Sequence, residues 1–278
     1  MGREELRLTF GEDPELYDRM RPGYPPGLFD TLAEVLAGPG SAAGGVPAEG
    51  AGALAAGALG EPRVLEIGCG TGQATRSMIE RGWSVTAVEL SPALSAVARR
   101  NLPEAEVVTA SFEDWPLPAE PFELVIAATS WHWIDPEVRM VKAAQALRPG
   151  GSLAIVSTYH VAGGTQQFFD DVQACYERFD PETKPGLRLP PEDATADDPG
   201  EYDRTGLFGP VRFNRWGWDL TYTTSEYLDL LSTYSGHRAM PPEARDSLYA
   251  CIATLINTNH HGQVTKRYLT GLTTAPKR

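Results

Sequence analysis

Between residues 63 and 158, short apolar runs alternate with stretches in which apolar residues recur every three or four positions. That is the pattern of strands alternating with helices. Residues 64–67, 84–89, 106–110, 122–128 and 152–158 read as strands, because apolar and β-branched residues fill them and Gly, Pro or charged residues bound them. Helices are predicted at 73–81, 92–101 and 136–147, the last closing at Arg148-Pro149-Gly150-Gly151. Upstream, Asp13-Pro14 and Pro25-Pro26 start two short helices within residues 13–36, the second carrying Leu28, Phe29, Leu32, Val35 and Leu36. Downstream, 166–179 reads as a helix with Phe168, Phe169, Val172 and Tyr176 on one side. Residues 211–220 and 264–273 suit strands, and 225–235 and 242–257 suit helices, the first opened by Thr224-Ser225-Glu226.

Two stretches fall outside this periodicity. Residues 38–62 hold eight glycines and eight alanines, with little side chain to bury, so a mobile loop is expected. Residues 180–204 carry eight acids, three bases and five prolines, and a flexible insertion or flap is expected. The whole predicts an α/β fold: a doubly wound, Rossmann-like sheet in one domain over 1–278.

The chemistry concentrates after the first strand. Gly68, Gly70 and Gly72 follow Glu66 at alternate positions, with Cys69 and Thr71 between them, and a helix starts near Ala74. A strand that breaks into glycines and re-emerges as a helix brings backbone N–H groups up to a ligand. The dinucleotide fingerprint G-x-G-x-x-G is a rival, but its third glycine position falls on Gln73. The next strand ends in Glu89, followed by Leu90. An acid about twenty residues beyond the first glycine can accept both hydroxyls of a ribose.

In this order, E-I-G-C-G-T-G, V-T-A-V-E-L-S, A-S-F-E-D-W and L-R-P-G-G-S-L resemble the motif series of class I S-adenosylmethionine-dependent methyltransferases. The resemblance runs over about residues 63–157 and implies S-adenosyl-L-methionine as cofactor. It implies a seven-stranded sheet in the order 3-2-1-4-5-7-6 with one antiparallel strand. It divides the domain into a helical lid (1–37), a loop (38–62), a cofactor core (63–160) and a C-terminal part (161–278). In family terms Ser111, Phe112 and Glu113 flank the adenine, with Asp114 an alternative to Glu113, while Ala128 and Thr129 pass the methionine moiety. The segment Tyr17-Asp18-Arg19-Met20-Arg21-Pro22-Gly23-Tyr24-Pro25 is similar to one in a small-molecule branch that includes trans-aconitate-methyltransferase-like and natural-product enzymes. By that resemblance Tyr17, Arg21 and Tyr24 are candidates for a lid over the cofactor, Tyr17 also standing among the catalytic candidates. Trp131 and His132, at the exit of the fourth strand, face the acceptor, with His132 a candidate base. Tyr234, His237, His260 and His261 are weaker pocket candidates.

Composition narrows the partner. The net charge is −13, from 37 acids against 24 Lys and Arg, so a nucleic-acid substrate is not expected. No run of about eighteen apolar residues predicts a membrane span, and Met-Gly-Arg-Glu-Glu lacks the form of a signal peptide. Cys69, Cys175 and Cys251 are far apart with no metal spacing, which leads to an expectation of reduced thiols, a cytoplasmic setting and no metal. The partner expected is a small-molecule acceptor. A carboxylate acceptor needs no base and an arginine such as Arg21 or Arg238 to hold it, whereas a hydroxyl or amine gives His132 a role. A cofactor-binding protein of the same fold that methylates nothing, and a nicotinamide-dependent dehydrogenase, are the competing readings.

Overall fold

The computed structural model describes residues 9–38 and 60–278, so most of the Gly/Ala-rich stretch at 38–62 lies outside the described residues. Its strands are β1 Arg63–Ile67, β2 Ser84–Glu89, β3 Glu106–Thr109, β4 Phe122–Ala128, β5 Leu147–Gly164, β6 Arg212–Thr223 and β7 Gln263–Pro276. They form one mixed sheet in the order β3-β2-β1-β4-β5-β7-β6, as expected. β1 pairs in parallel with β2 on one side and β4 on the other; β3 and β5 extend those two directions, also in parallel. The strand order therefore reverses between β1 and β4, and ligands bind beyond the carboxyl ends of strands at such a switch point. Val64, Leu65 and residues 124–127 are fully buried, which is why these strands read as continuous apolar runs.

Contacts divide the chain into two compact units. The first comprises Gly23–Ser157, Asp198–Asn214 and Leu272–Arg278; the second comprises the described residues up to Pro22, Thr158–Asp197 and Arg215–Gly271. In the first, Leu65, Ile67, Val88, Val125, Leu153 and Met140 build the core. In the second, Phe168, Tyr227, Leu230, Leu248, Ile252, Ile256 and Tyr268 build another.

Four expectations change. Arg148-Pro149-Gly150-Gly151 does not end a helix: the helix is Arg139–Ala146, and the four residues belong to the long β5. The extra residues are taken up by a register shift against Phe122 and Leu124. A Cβ on Gly151 would lie 3.0 Å from the carbonyls of Phe122 and Glu123, so only glycine passes there. The single helix expected at 166–179 is two, Gln166–Asp171 and Gln173–Phe179, meeting at Val172.

The acidic stretch at 180–204 is not an unstructured insertion. It contains a 3-10 turn at Glu192–Ala194 and a helix at Gly200–Thr205. Its charges are paired, Glu192 with Arg267 at 2.6 Å and Glu201 with Arg139 at 2.6 Å. Tyr202 is buried, its ring edge-on to Phe208 at 5.6 Å. Finally, Cys175 and Cys251 are not separate thiols: the helices Gln173–Phe179 and Pro242–Asn259 bring them into a disulfide across 76 residues. That removes the ground on which a reducing setting was expected. Cys69 is free and buried. Among the described residues no helix is long and apolar enough to cross a membrane.

His237 sits in the second unit between the hydroxyls of Tyr176, 3.2 Å from Nε2, and Tyr249, 3.3 Å from Nδ1. Burial pushes its pKa down to about 4. The unfolded chain then binds a proton that the native state refuses as pH falls below the ordinary histidine value, so this residue's contribution declines with acidification. Between pH 7 and 5 the stability gap between the wild type and His237→Gln should shrink by about 1–2 kcal/mol in urea titrations. A gap that stays constant contradicts the assignment.

Candidate functional site

The first unit gathers the ends of β1, β2 and β4 around the glycine turn. Gly68, Gly70 and Gly72 all have positive φ, at 73°, 60° and 101°, which L side chains seldom adopt. Space is as restrictive as conformation. A Cβ on Gly68 would stand 2.6 Å from the Ser130 Cβ, and one on Gly72 only 2.2 Å from Leu102 Cδ1. The turn is tied down on both sides: Gly68 N–H donates to the Val88 carbonyl at 2.7 Å, and the Ser130 hydroxyl donates to the Ile67 carbonyl.

Glu89 fixes the turn from β2. Its Oε2 accepts the Gly70 N–H at 2.9 Å and its Oε1 accepts the Ser91 N–H at 2.8 Å. The buried carboxylate is thereby aimed along the edge of the turn, with Leu90 half-buried beside it. Glu66 lies deeper, fully enclosed, and accepts a hydrogen bond from Thr75 Oγ1 at 2.5 Å. Burial pushes its pKa up to about 7, against the pull of Thr75. Cys69 and Thr71 are buried too, and burial drives the Cys69 thiol well above its ordinary value, so it is an inert spacer.

At the corner after β3, the Ser111 hydroxyl accepts the Asp114 N–H at 3.1 Å and donates to Asp114 Oδ2 at 2.7 Å, closing a local cap. Glu113 Oε1 accepts the Asp135 N–H at 3.1 Å, joining this corner to the exit of β4. Phe112, expected against the base, is enclosed in the core, with the Lys142 ammonium 5.4 Å from its ring.

The β4 exit is strained. Thr129, β-branched, has φ of 56°, held by its N–H to the Val156 carbonyl at 2.9 Å and by the Tyr24 hydroxyl 3.0 Å from its Oγ1. Such conformations persist where the surroundings impose them, often at ligand sites. Ala128 before it is buried. Trp131 does not present a free face: its Nε1–H donates to Glu201 Oε2 at 2.9 Å and the Arg139 guanidinium covers its ring at 5.3 Å. His132, next along, is accessible and forms no hydrogen bond among the described residues. Burial, followed by the charge of Arg139, lowers its pKa, so it is neutral at neutral pH.

The structure thus assembles Glu66, Gly68, Gly70, Gly72, Glu89, Ser111, Glu113, Thr129, Tyr24 and His132 in one unit. Tyr17 and Arg21 fall in the second, where the Arg21 guanidinium lies 4.9 Å from the Tyr17 ring and 4.8 Å from the Tyr234 ring. His260 and His261 follow the helix Pro242–Asn259, where His260 packs against Phe168 at 5.6 Å. The Glu201–Arg139 pair was not anticipated. Glu201 carries no local signal, because it sits in an acidic run some seventy residues from the tryptophan it holds.

The parallel strands, with a glycine turn and two buried carboxylates at the switch point, define a doubly wound α/β protein. A family model described as a methyltransferase domain matches residues 65–155. An uncharacterised methyltransferase of Geobacillus kaustophilus is 31% identical over 165 residues, 57% of this chain and 68% of that protein. Another, from Mycobacterium tuberculosis, is 34% identical over 154 residues, 55% of this chain and 54% of its own length, so the chain spans about half the length of the first curated relatives it matches. A solved structure from Anaeromyxobacter dehalogenans, named as a methyltransferase, shares the fold with a TM-score of 0.58 and 23% identity, covering 93% of this chain and 97% of that one. The chain belongs to the class I S-adenosylmethionine-dependent methyltransferases.

Glu89→Ala leaves the Gly70 and Ser91 N–H groups without their acceptor. It should cost about 1–3 kcal/mol of stability in urea denaturation; an unchanged midpoint contradicts the anchoring role.

Proposed function

We propose that the chain transfers a methyl group from S-adenosylmethionine to a small-molecule acceptor. The observation that carries this reading is the Gly68–Gly72 turn held by the Glu89 carboxylate. When bound, the cofactor supplies a methyl group already activated by its positively charged sulfur. The protein's share is to bind, to align the acceptor with the S–CH3 bond and to keep water out.

Glu89 takes the ribose hydroxyls, because its two backbone bonds hold the carboxylate in a fixed plane at the strand end. The side-chain-free backbone at Gly68 and Gly70 accommodates the amino-acid end, with Glu66, Cys69, Thr71 and Gly72 shaping the floor beneath it. Ser111, Glu113 and Leu90 flank the base, and Phe112 supports that corner from inside the core. Ala128, Thr129 and Tyr24 border the methionine moiety. Trp131, fixed by Glu201 and Arg139, sets the direction in which His132 projects. His132, neutral and accessible, takes the proton of a hydroxyl or amine acceptor; a carboxylate acceptor needs no base.

Calorimetry checks the cofactor: S-adenosylhomocysteine should bind with micromolar affinity and NAD should give no heat, and the reverse result overturns the reading. Glu89→Ala should weaken that affinity by about 2–3 kcal/mol, and a change smaller than about twofold removes Glu89 from the ribose. Because the His132 pKa is lowered, its basic form is complete above the ordinary histidine value and is lost only as pH falls through the lowered one. With a hydroxyl or amine acceptor, turnover should be level above about pH 7 and fall on acidification, and His132→Ala should abolish that limb and cost about 100-fold. The same pH profile in wild type and variant excludes His132 from proton transfer.

A further inference from the structure

The second unit buries a lysine that has no counter-ion among the described residues. Lys266 lies on β7 on the same face as Val264 and Tyr268, which turn into the core, and it is only 5% exposed. Among the described residues no carboxylate pairs with it. Its ammonium instead lies 5.0 Å from the centre of the Phe169 ring and 5.6 Å from that of Tyr268. Burial pushes its pKa down to about 8, with no acidic neighbour opposing the shift. Lysine is almost never fully buried unpaired, since desolvation of the charge exceeds what ring contacts of about 0.5–2 kcal/mol return.

A second cation stands close by in the same condition. Arg21 lies over the rings of Tyr17 and Tyr234 and donates one N–H to the Thr233 carbonyl at 2.7 Å. Its Nε is buried without a hydrogen-bond partner, and it forms no ion pair among the described residues. Arg238 also buries an unpartnered Nε, but Glu12 neutralises it at 2.9 Å. The difference singles out Arg21.

His160 connects the two. Its ring centre is 5.7 Å from that of Tyr234, which Arg21 covers, and 5.8 Å from that of Tyr268, which Lys266 faces. The charges of Lys266 and Arg21 both act on it, adding to the desolvation that pushes its pKa down to about 3. Yet His160 is accessible to solvent. The imidazole on which both cations act is thus open to a ligand from solvent. Tyr268 is backed by Trp218, stacked at 5.0 Å, and its hydroxyl is 2.9 Å from that of Tyr222.

We propose that Arg21, His160 and Lys266, with the ring of Tyr234, form a binding site for a small organic carboxylate carrying a flat apolar body. The carboxylate supplies the counter-charge that the fold withholds from Lys266 and the acceptor missing at Arg21 Nε. The apolar body lies against the neighbouring rings of His160 and Tyr234, a surface that inorganic phosphate cannot cover. This assignment goes beyond the methyl-donor reading and stands independently of it, because every residue named belongs to the second unit.

The test uses the full chain and four probes: benzoate, phthalate, inorganic phosphate and the neutral isostere benzamide. In calorimetry and thermal melts the two aromatic carboxylates should bind with dissociation constants below about 1 mM and raise the melting temperature, and benzamide should do neither. Lys266→Met should weaken phthalate binding at least about tenfold while leaving S-adenosylhomocysteine affinity within about twofold. It should also melt no lower than the wild type, since it removes an uncompensated buried charge. Arg21→Gln should weaken phthalate in the same direction, and it carries the test should circular dichroism show Lys266→Met unfolded. No binding of either aromatic carboxylate at about 10 mM overturns the proposal. So does equal binding of benzamide, a response to phosphate alone, or undiminished phthalate affinity in the folded variants. Failure of S-adenosylhomocysteine to bind the wild type, with phthalate binding intact, strikes the methyl-donor reading and leaves this site standing.

Discussion

The pair of hydrogen bonds from the Gly70 and Ser91 backbone to the Glu89 carboxylate is the interaction on which the first unit's site depends. Gly70 belongs to the loop after β1, and Ser91 caps the helix that follows β2, where its Oγ accepts the Leu94 N–H at 3.3 Å. One buried carboxylate therefore sets the positions of two loops and a helix start. A charge is costly to enclose and is tolerated when donors surround it. Here the donors are backbone groups that cannot be mutated away, so geometry and charge are fixed together.

The rest of the site follows the same economy of rigid supports. Thr129 holds a left-handed conformation because β5 grips its N–H and Tyr24 its hydroxyl. Trp131 is locked by an acid and an arginine that also pair with each other, while His132 beside it stays accessible. Polar atoms here are spent on orientation, and a neutral imidazole is what they leave available. In the second unit the pattern is inverted: Lys266 and Arg21 are enclosed by rings while their charge goes unanswered.

What could be read from the chain followed from local constraints. The glycines at 68, 70 and 72 announce themselves, because all three take a positive φ that L side chains seldom adopt and Gly68 also lies against Ser130. Glu89 was legible because a strand of known length separates it from them. The alternation of periods gave the α/β class, and the sheet order came from the family resemblance that the motif series carries. What stayed hidden depends on long-range pairing. Lys266 shares a strand face with Val264 and Tyr268, and only the packing of β7 shows that this face is enclosed while Arg267, on the other, pairs with Glu192. The acidic run at 180–204 looked unstructured because its partners, Arg139 and Arg267, lie far away in sequence. Cys175 and Cys251 looked solitary for the same reason: two helices separated by 76 residues bring them together.

The central claim is that the turn after β1, with the acid at the end of β2, is a seat for a sulfonium nucleoside. A crystal of the full chain soaked with S-adenosylhomocysteine tests it most directly. The nucleoside should lie along Gly68–Gly72 with both ribose hydroxyls on the Glu89 carboxylate. Density for a saturating ligand elsewhere, with no bond from it to the Glu89 carboxylate, would contradict it.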